Sequence, residues 1–219
     1  MIFFHGSNAI IDKPVQFGSA TDNDYGPSFY VTLDNFNGKL WACKNEQVGF
    51  VNKYFLRNDL FDELEVLDLT NKDKYCVLSW LAILMHFRKV DERFLKLYEN
   101  RIKWLEKYYI EVTNYDVIKG YRADDSYFKF PLAFISGNLS YERLCEVYKL
   151  GNLGIQYAFM SEKAIRGLKY LNSKECDESF VGKYKDIVVG ATKKFNEILN
   201  EPINDNETFI TDLMKNNDN

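Results

Sequence analysis

The feature that most constrains the fold is the stretch 75–87, Tyr-Cys-Val-Leu-Ser-Trp-Leu-Ala-Ile-Leu-Met-His-Phe, which is apolar nearly all round. A bilayer-spanning helix needs about 20 apolar residues, so this stretch is too short to cross a membrane. It reads instead as a helix buried on every side. The stretch 90–109 follows with an amphipathic pattern. Phe94, Leu97, Tyr98, Leu105 and Tyr108 mark one face, and Asp91 offers an N-cap. No Pro or Gly interrupts either stretch, which predicts a hairpin of two long, regular helices over about 74–110. On both sides of it the chain reads as short strands: 1–7, 28–33, 48–56 and 64–69 before, 115–119 and 155–160 after. Strands early and late with helices gathered between them make an α+β domain.

Further elements are signalled by caps and stops. Asp34 or Asn35 caps a helix through Trp41 to about Asn45, and Gly137 stops a helix that begins near Tyr127. Ser140 caps 141–150, with a turn between Gly151 and Gly154, and Ser161 caps a short helix from Glu162 to about Leu171. Residues 182–200 read as a surface helix. Residues 8–27 are dominated by turn formers, and a loop of that length is usually functional. No linker divides the chain. One domain over 1–200 is expected, followed by a polar, frayed tail at 201–219.

A chain of 219 residues, 46% hydrophobic and 27% charged, has an ordinary globular composition. Its net charge of −4 argues against a general attraction to phosphate backbones, leaving only a local basic groove open. Cys43, Cys76, Cys145 and Cys176 form no CxxC pair, so they read as thiols in a reducing compartment and not as a zinc site. With no leader-like segment and no long apolar run, a cytoplasmic protein without membrane contact or metal is expected.

Three short stretches are hard to explain by packing alone. They are His5-Gly6-Ser7 at the end of the first strand, Gly26-Pro27-Ser28-Phe29-Tyr30-Val31-Thr32, and Gln156-Tyr157-Ala158-Phe159. Together they resemble the diphtheria-toxin-like ADP-ribosyltransferases, which include the poly(ADP-ribose) polymerases. Members carry a His, a Tyr and usually a Glu on three strands around one NAD+ pocket. The stretch from Ile2 to about Leu171 is similar, more closely, to an uncharacterised bacterial family placed near those enzymes. The matching pieces are His5-Gly6-Ser7, the segment from Asp24-Tyr25-Gly26 to Tyr30, Asp116 to Gly120 with Ala123-Asp124-Asp125, and Gln156-Tyr157-Ala158-Phe159.

The resemblance implies two small, mostly antiparallel sheets split around a cleft, with the helical hairpin inserted on one side. It implies that His5 bonds a ribose hydroxyl in its neutral form, that Ser7 adds a second bond, and that the backbone of Gly6 meets the nicotinamide amide. Tyr30 and Trp41, eleven residues apart, would sandwich the nicotinamide ring. Gln156 stands where the family usually has its glutamate, and it carries no charge. Asp116, Asp124 and Asp125 are the nearest carboxylates to substitute for it, and Arg122 is a candidate for a phosphate. The implied activity is an NAD-dependent mono-ADP-ribosyltransferase, a glycosyltransferase acting on NAD, or an NAD glycohydrolase. The acceptor would be a protein or nucleic acid, and by analogy the protein would be the toxin of a bacterial toxin–antitoxin pair, with an antitoxin protein as partner. The alternative is a catalytically weak NAD- or ADP-ribose-binding module. A third reading is a structural interaction domain using the helical hairpin. For Trp41 a core role, for Arg122 a surface role and for Asp124 and Asp125 a helix-capping role remain open alternatives.

Overall fold

The computed structural model describes residues 1–15, 22–123, 128–147 and 154–216. Its first strand, β1 (Ile2–Ser7), sends Phe3 fully into the core. The next elements are β2 (Phe29–Val31), α1 (Asn35–Ala42), β3 (Phe50–Phe55), α2 (Asn58–Asp62) and β4 (Val66–Asp68). α3 (Val77–Phe87), α4 (Glu92–Leu97) and α5 (Glu99–Leu105) lead to β5 (Val117–Tyr121), α6 (Lys129–Ser136), α7 (Tyr141–Val147) and β6 (Ile155–Phe159). The chain then forms α8 (Glu162–Gly167), β7 (Lys169–Glu175), α9 (Lys183–Asn200) and α10 (Ile210–Asn216).

The strands form two sheets, so the fold is α+β. One has the order β1-β3-β7 and is antiparallel throughout. The other has the order β2-β6-β5-β4. It is not purely antiparallel, because β4 and β5 run parallel. The long helical excursion between these two strands returns the chain to the same end of the sheet, as a parallel pair requires. Among the described residues the two sheets are joined by one backbone bridge. Phe4 N–H donates to the Thr32 carbonyl at 2.8 Å and Thr32 N–H to the Phe4 carbonyl at 2.9 Å. Beyond that pair β1 and β2 part.

Strand alternation sorts side chains into separate cores. Ile118 and Ala158 join the helical core around α3, while Val117, Tyr157 and Phe159 pack on Phe3, Phe29 and Tyr54. α3 is buried from Leu78 to Leu84, as an all-round apolar helix must be. Among the described residues no helix is long and apolar enough to cross a membrane.

Several expectations need correction. The second arm of the hairpin is not one regular helix, because it breaks at Tyr98, whose φ of −113° and ψ of 23° are not helical. In a straight helix Leu97 and Leu105 would share a face. The break takes them out of phase, leaving Leu97 73% exposed and Leu105 buried. The strand β7 was not anticipated, since its Lys-Tyr-Leu-Asn-Ser-Lys-Glu sequence carries the polar pattern of an exposed edge. Residues 201–216 of the tail are described, and they are anchored to the domain. Arg143 of α7 donates to the carbonyls of Glu201 and Pro202 and pairs with Glu207 at 2.6 Å, and Ile210 is fully buried. The capping expectations at Asp34, Asp91 and Ser161 hold, each side chain accepting from a backbone N–H in the first turn that follows. Gly137 ends α6 in the left-handed region at φ 82°. The predicted starts and ends at Tyr127, Leu150 and Gly151 lie outside the described residues.

Candidate functional site

The place where β1 and β2 part becomes a cleft of about 590 Å³, lined among others by His5, Gly6, Ser7, Asp24, Tyr30, Trp41, Arg88, Arg122 and Gln156. Phe4 and Thr32 exchange both of their hydrogen bonds. A ladder continuing from them would next pair Gly6 with Tyr30. Instead His5 Nδ1 lies 2.6 Å from the Tyr30 carbonyl and donates to it in place of the Gly6 amide. The imidazole is thus the wedge that opens the sheet, backed by stacking on Phe29 at 4.6 Å.

That bond sets the tautomer. With the proton on Nδ1, Nε2 is left as an acceptor. Desolvation lowers the His5 pKa to about 4, the Tyr30 carbonyl only partly opposing it and Arg122 adding to it. At neutral pH the ring is neutral. Gly6 serves two faces at once. Its N–H and C=O lie on the same side of β1 as those of Phe4, toward the opening and away from β3, because strand groups repeat every second residue. A side chain on it would meet the backbone of α1, with Gly38 O at 2.2 Å and Ala42 N at 2.4 Å.

Ser7 is spent on local structure, donating to the Ala9 carbonyl and accepting from Asn52. Asn52 itself is fully buried in β3. Its Nδ2 reaches the carbonyls of His5 and Ala9 as well as Ser7, and its Oδ1 accepts from Ile11 N–H at 2.8 Å and Ser173 at 2.6 Å. This is the clamp that holds the end of β1 in place. Its one sequence signal is an amide in the middle of a mainly apolar and aromatic strand.

Tyr30 donates its hydroxyl to the Gly26 carbonyl at 2.7 Å and accepts from Tyr25 N–H at 3.0 Å. Desolvation raises its pKa, so it is a neutral phenol. Trp41 lies in the same cleft with the Arg122 guanidinium 3.5 Å from its ring centroid and the Lys44 ammonium 4.3 Å from it. The indole is therefore a platform for a cation, and Arg122 is held on it and is not a loose surface charge.

Gln156, on β6, is buried, and its Nε2 donates at 2.7 Å to Asp24 Oδ2. The same oxygen accepts from Ala123 N–H at 2.8 Å, and Arg88 approaches Oδ1 at 3.5 Å. Sequence reasoning did not single out Asp24 as a site residue, although it heads the Asp24-Tyr25-Gly26 segment. The neighbouring Tyr25 explains how it is delivered. Tyr25 is fully buried and donates to the Tyr121 carbonyl at 2.7 Å, in space left by Gly120, where a side chain would meet its hydroxyl at 2.1 Å. Gly26, at φ 78°, then turns the chain toward β2.

The other proposed carboxylates do not join this group. Asp116 stands before β5, at the end of the sheet away from Arg122, roughly 20 Å off by strand rise. It accepts from Glu65 N–H and from Ser161, clasping β4, β5 and α8 together. Asp124 and Asp125 lie outside the described residues. Among the described residues no group of His, Cys, Asp and Glu could hold a metal ion.

The buried pair His5 and Asp24 makes a testable pH signature. Desolvation raises the Asp24 pKa from 3.8 to about 6, against the opposing pull of Ala123 N–H, Arg88, Gln156 and Arg122. Raised above its unfolded value, Asp24 contributes stability that is lost as pH rises from 3.8 to about 6. His5, lowered from 6.5 to about 4, contributes stability that is lost as pH falls through the same window. The two slopes oppose each other. Urea denaturation between pH 4 and 6 should show stability rising with pH in Asp24→Asn and falling with pH in His5→Ala, relative to the parent. Identical slopes in all three proteins would refute the assignment.

No curated protein and no solved structure matches the chain. One family model does, described as a protein of unknown function (DUF3990), over residues 1–170. The match takes in β1, β2, β6 and every cleft residue named above, and the chain belongs to that family.

Proposed function

We propose that the protein is an NAD+-cleaving mono-ADP-ribosyltransferase, acting as an NAD+ glycohydrolase when water is the acceptor, on a split-sheet scaffold of the ADP-ribosyltransferase type. The observation that carries this reading is the convergence of His5, Tyr30 and Gln156, from three strands, where the two sheets part. Cleavage breaks the bond between ribose C1′ and the nicotinamide nitrogen. The electron pair leaves with nicotinamide, which becomes neutral, and the sugar passes through an oxocarbenium-like state. An acceptor oxygen then attacks C1′ and releases its proton.

The residues fit that substrate. Neutral His5 presents Nε2 as an acceptor for a ribose hydroxyl, and the Gly6 backbone faces the opening, where a carboxamide can pair with it. The cationic nicotinamide ring would replace the Arg122 guanidinium on the face of Trp41, one cation for another. Arg88, Lys44, Lys89 and Arg122 line the cleft and supply positive charge for the two phosphates. The cleft volume lies within the range of about 300–1,000 Å³ usual for small-molecule sites. A macromolecular acceptor, and a partner that blocks the cleft as an antitoxin would, belong to the same proposal.

The neutral Gln156 favours a second reading, in which NAD+ or ADP-ribose binds without turnover. One experiment separates the two. Thermal unfolding is followed with and without NAD+, and nicotinamide release is then assayed. A raised melting temperature with release supports the transferase, and a raised melting temperature alone supports the binding module. Folded protein showing neither would overturn both.

A further inference from the structure

Stabilising a developing oxocarbenium ion calls for a fixed negative charge beside the ribose. Gln156 cannot provide one, yet a carboxylate touches it. We propose that Asp24 is the catalytic carboxylate of this cleft, its charge acting on the reacting ribose, with Gln156 as the amide that fixes it in place. This rests on the NAD+-cleaving reading and names the charge that the reading lacks. The negative group would then come from the loop before β2 and not from β6.

The geometry is that of a preorganised charge. Oδ2 is pinned by two donors from different elements, Gln156 Nε2 at 2.7 Å and Ala123 N–H at 2.8 Å. Oδ1 faces Arg88 at 3.5 Å, a loose ion pair with 12% and 7% of the two side chains exposed. Burying a carboxylate beside so loose a counter-ion is unfavourable. The groups that face Asp24 are Arg88 after α3, Arg122 after β5, the phenols of Tyr25 and Tyr30, and Gln156. His5 lines the same cleft. With its pKa raised only to about 6, Asp24 is still mainly ionised at pH 7.

The test compares nicotinamide release and NAD+-induced thermal shift in the parent, Asp24→Asn and Asp24→Asn/Gln156→Glu. Asn keeps an acceptor for Gln156 and Ala123 and removes the charge. The parent rate should fall on acidification with a midpoint near pH 6. Asp24→Asn should lose about 100-fold or more in kcat, lose that acid limb and keep the NAD+ shift. The double variant returns a carboxylate to the neighbouring side chain and should recover at least about tenfold of the loss. An Asp24→Asn variant within about threefold of the parent, with its acid limb intact, would overturn the proposal while leaving NAD+ cleavage standing. A folded parent that neither binds NAD+ nor releases nicotinamide would overturn both. Should Asp24→Asn fail to fold, the parent profile decides. A limb near pH 6 that survives in His5→Ala upholds Asp24, and a rate flat from pH 5 to 8 rejects it.

Discussion

Gly6→Ala is expected to destabilise the protein by about 3 kcal/mol or more, lowering its melting temperature by roughly 10 °C. The added Cβ would lie 2.2 Å from Gly38 O, 2.4 Å from Ala42 N and 2.9 Å from Trp41 C. All three are backbone atoms of α1, so no rotamer change relieves the contact. Either α1 lifts from β1 or β1 shifts against Asn52 and the β3 register. Both movements displace His5 and Trp41, so NAD+-dependent stabilisation should vanish along with much of the fold. Gly190→Ala is the control. Nothing lies within 4 Å of a Cβ there and the residue sits within α9, so helix propensity predicts a gain of up to about 1 kcal/mol. Thermal denaturation of both variants checks the pair. A Gly6→Ala protein as stable as its parent would mean that the close approach of α1 to β1 is wrong.

His5→Ala should reduce nicotinamide release by about 100-fold while costing only about 1–2 kcal/mol of stability. The stability loss follows from leaving the Tyr30 carbonyl without its donor at the opening of the sheet. The rate loss follows from removing Nε2, which the Nδ1–H tautomer leaves as an acceptor on a ring that lines the cleft. Because burial holds the ring near pKa 4, His5 is already neutral at pH 6 and no rate change there belongs to it. Any limb near pH 6 should therefore survive, at lower amplitude, in His5→Ala. A variant that turns over as fast as its parent would remove His5 from the chemistry and leave it as the wedge between β1 and β2.

Several site positions were legible from the residues because their signals are local. A short apolar run ending in His-Gly-Ser forms β1 and delivers His5 and Gly6 to the cleft. Asp34 caps α1 and so places Trp41 one helix beyond Tyr30. Ile155–Phe159 forms β6 with Gln156 near its start. Ser7 lines the cleft, but its hydroxyl also bonds Ala9 and Asn52, a clamp that only the β1–β3 register creates. Asp116 sits on the right strand segment but at the wrong end of the sheet. An alternation of two residues indicates which face a side chain takes, and says nothing of what stands at each end.

By itself the sequence determined what depends on a few neighbouring residues: strand period, helix caps, the burial of α3 and the open backbone of Gly6. The tertiary structure alone decided which distant groups share a charge or a hydrogen bond. Asp24 and Gln156 are 132 residues apart, and they meet because Tyr25 inserts beneath Gly120 and draws Asp24 to the start of β6. β7 likewise exists only because β3 offers a free edge, its own polar pattern being equally suited to a loop. Propensity acts over one or two turns of chain, whereas the energy of a buried carboxylate is set by whatever the whole fold brings within about 4 Å of it.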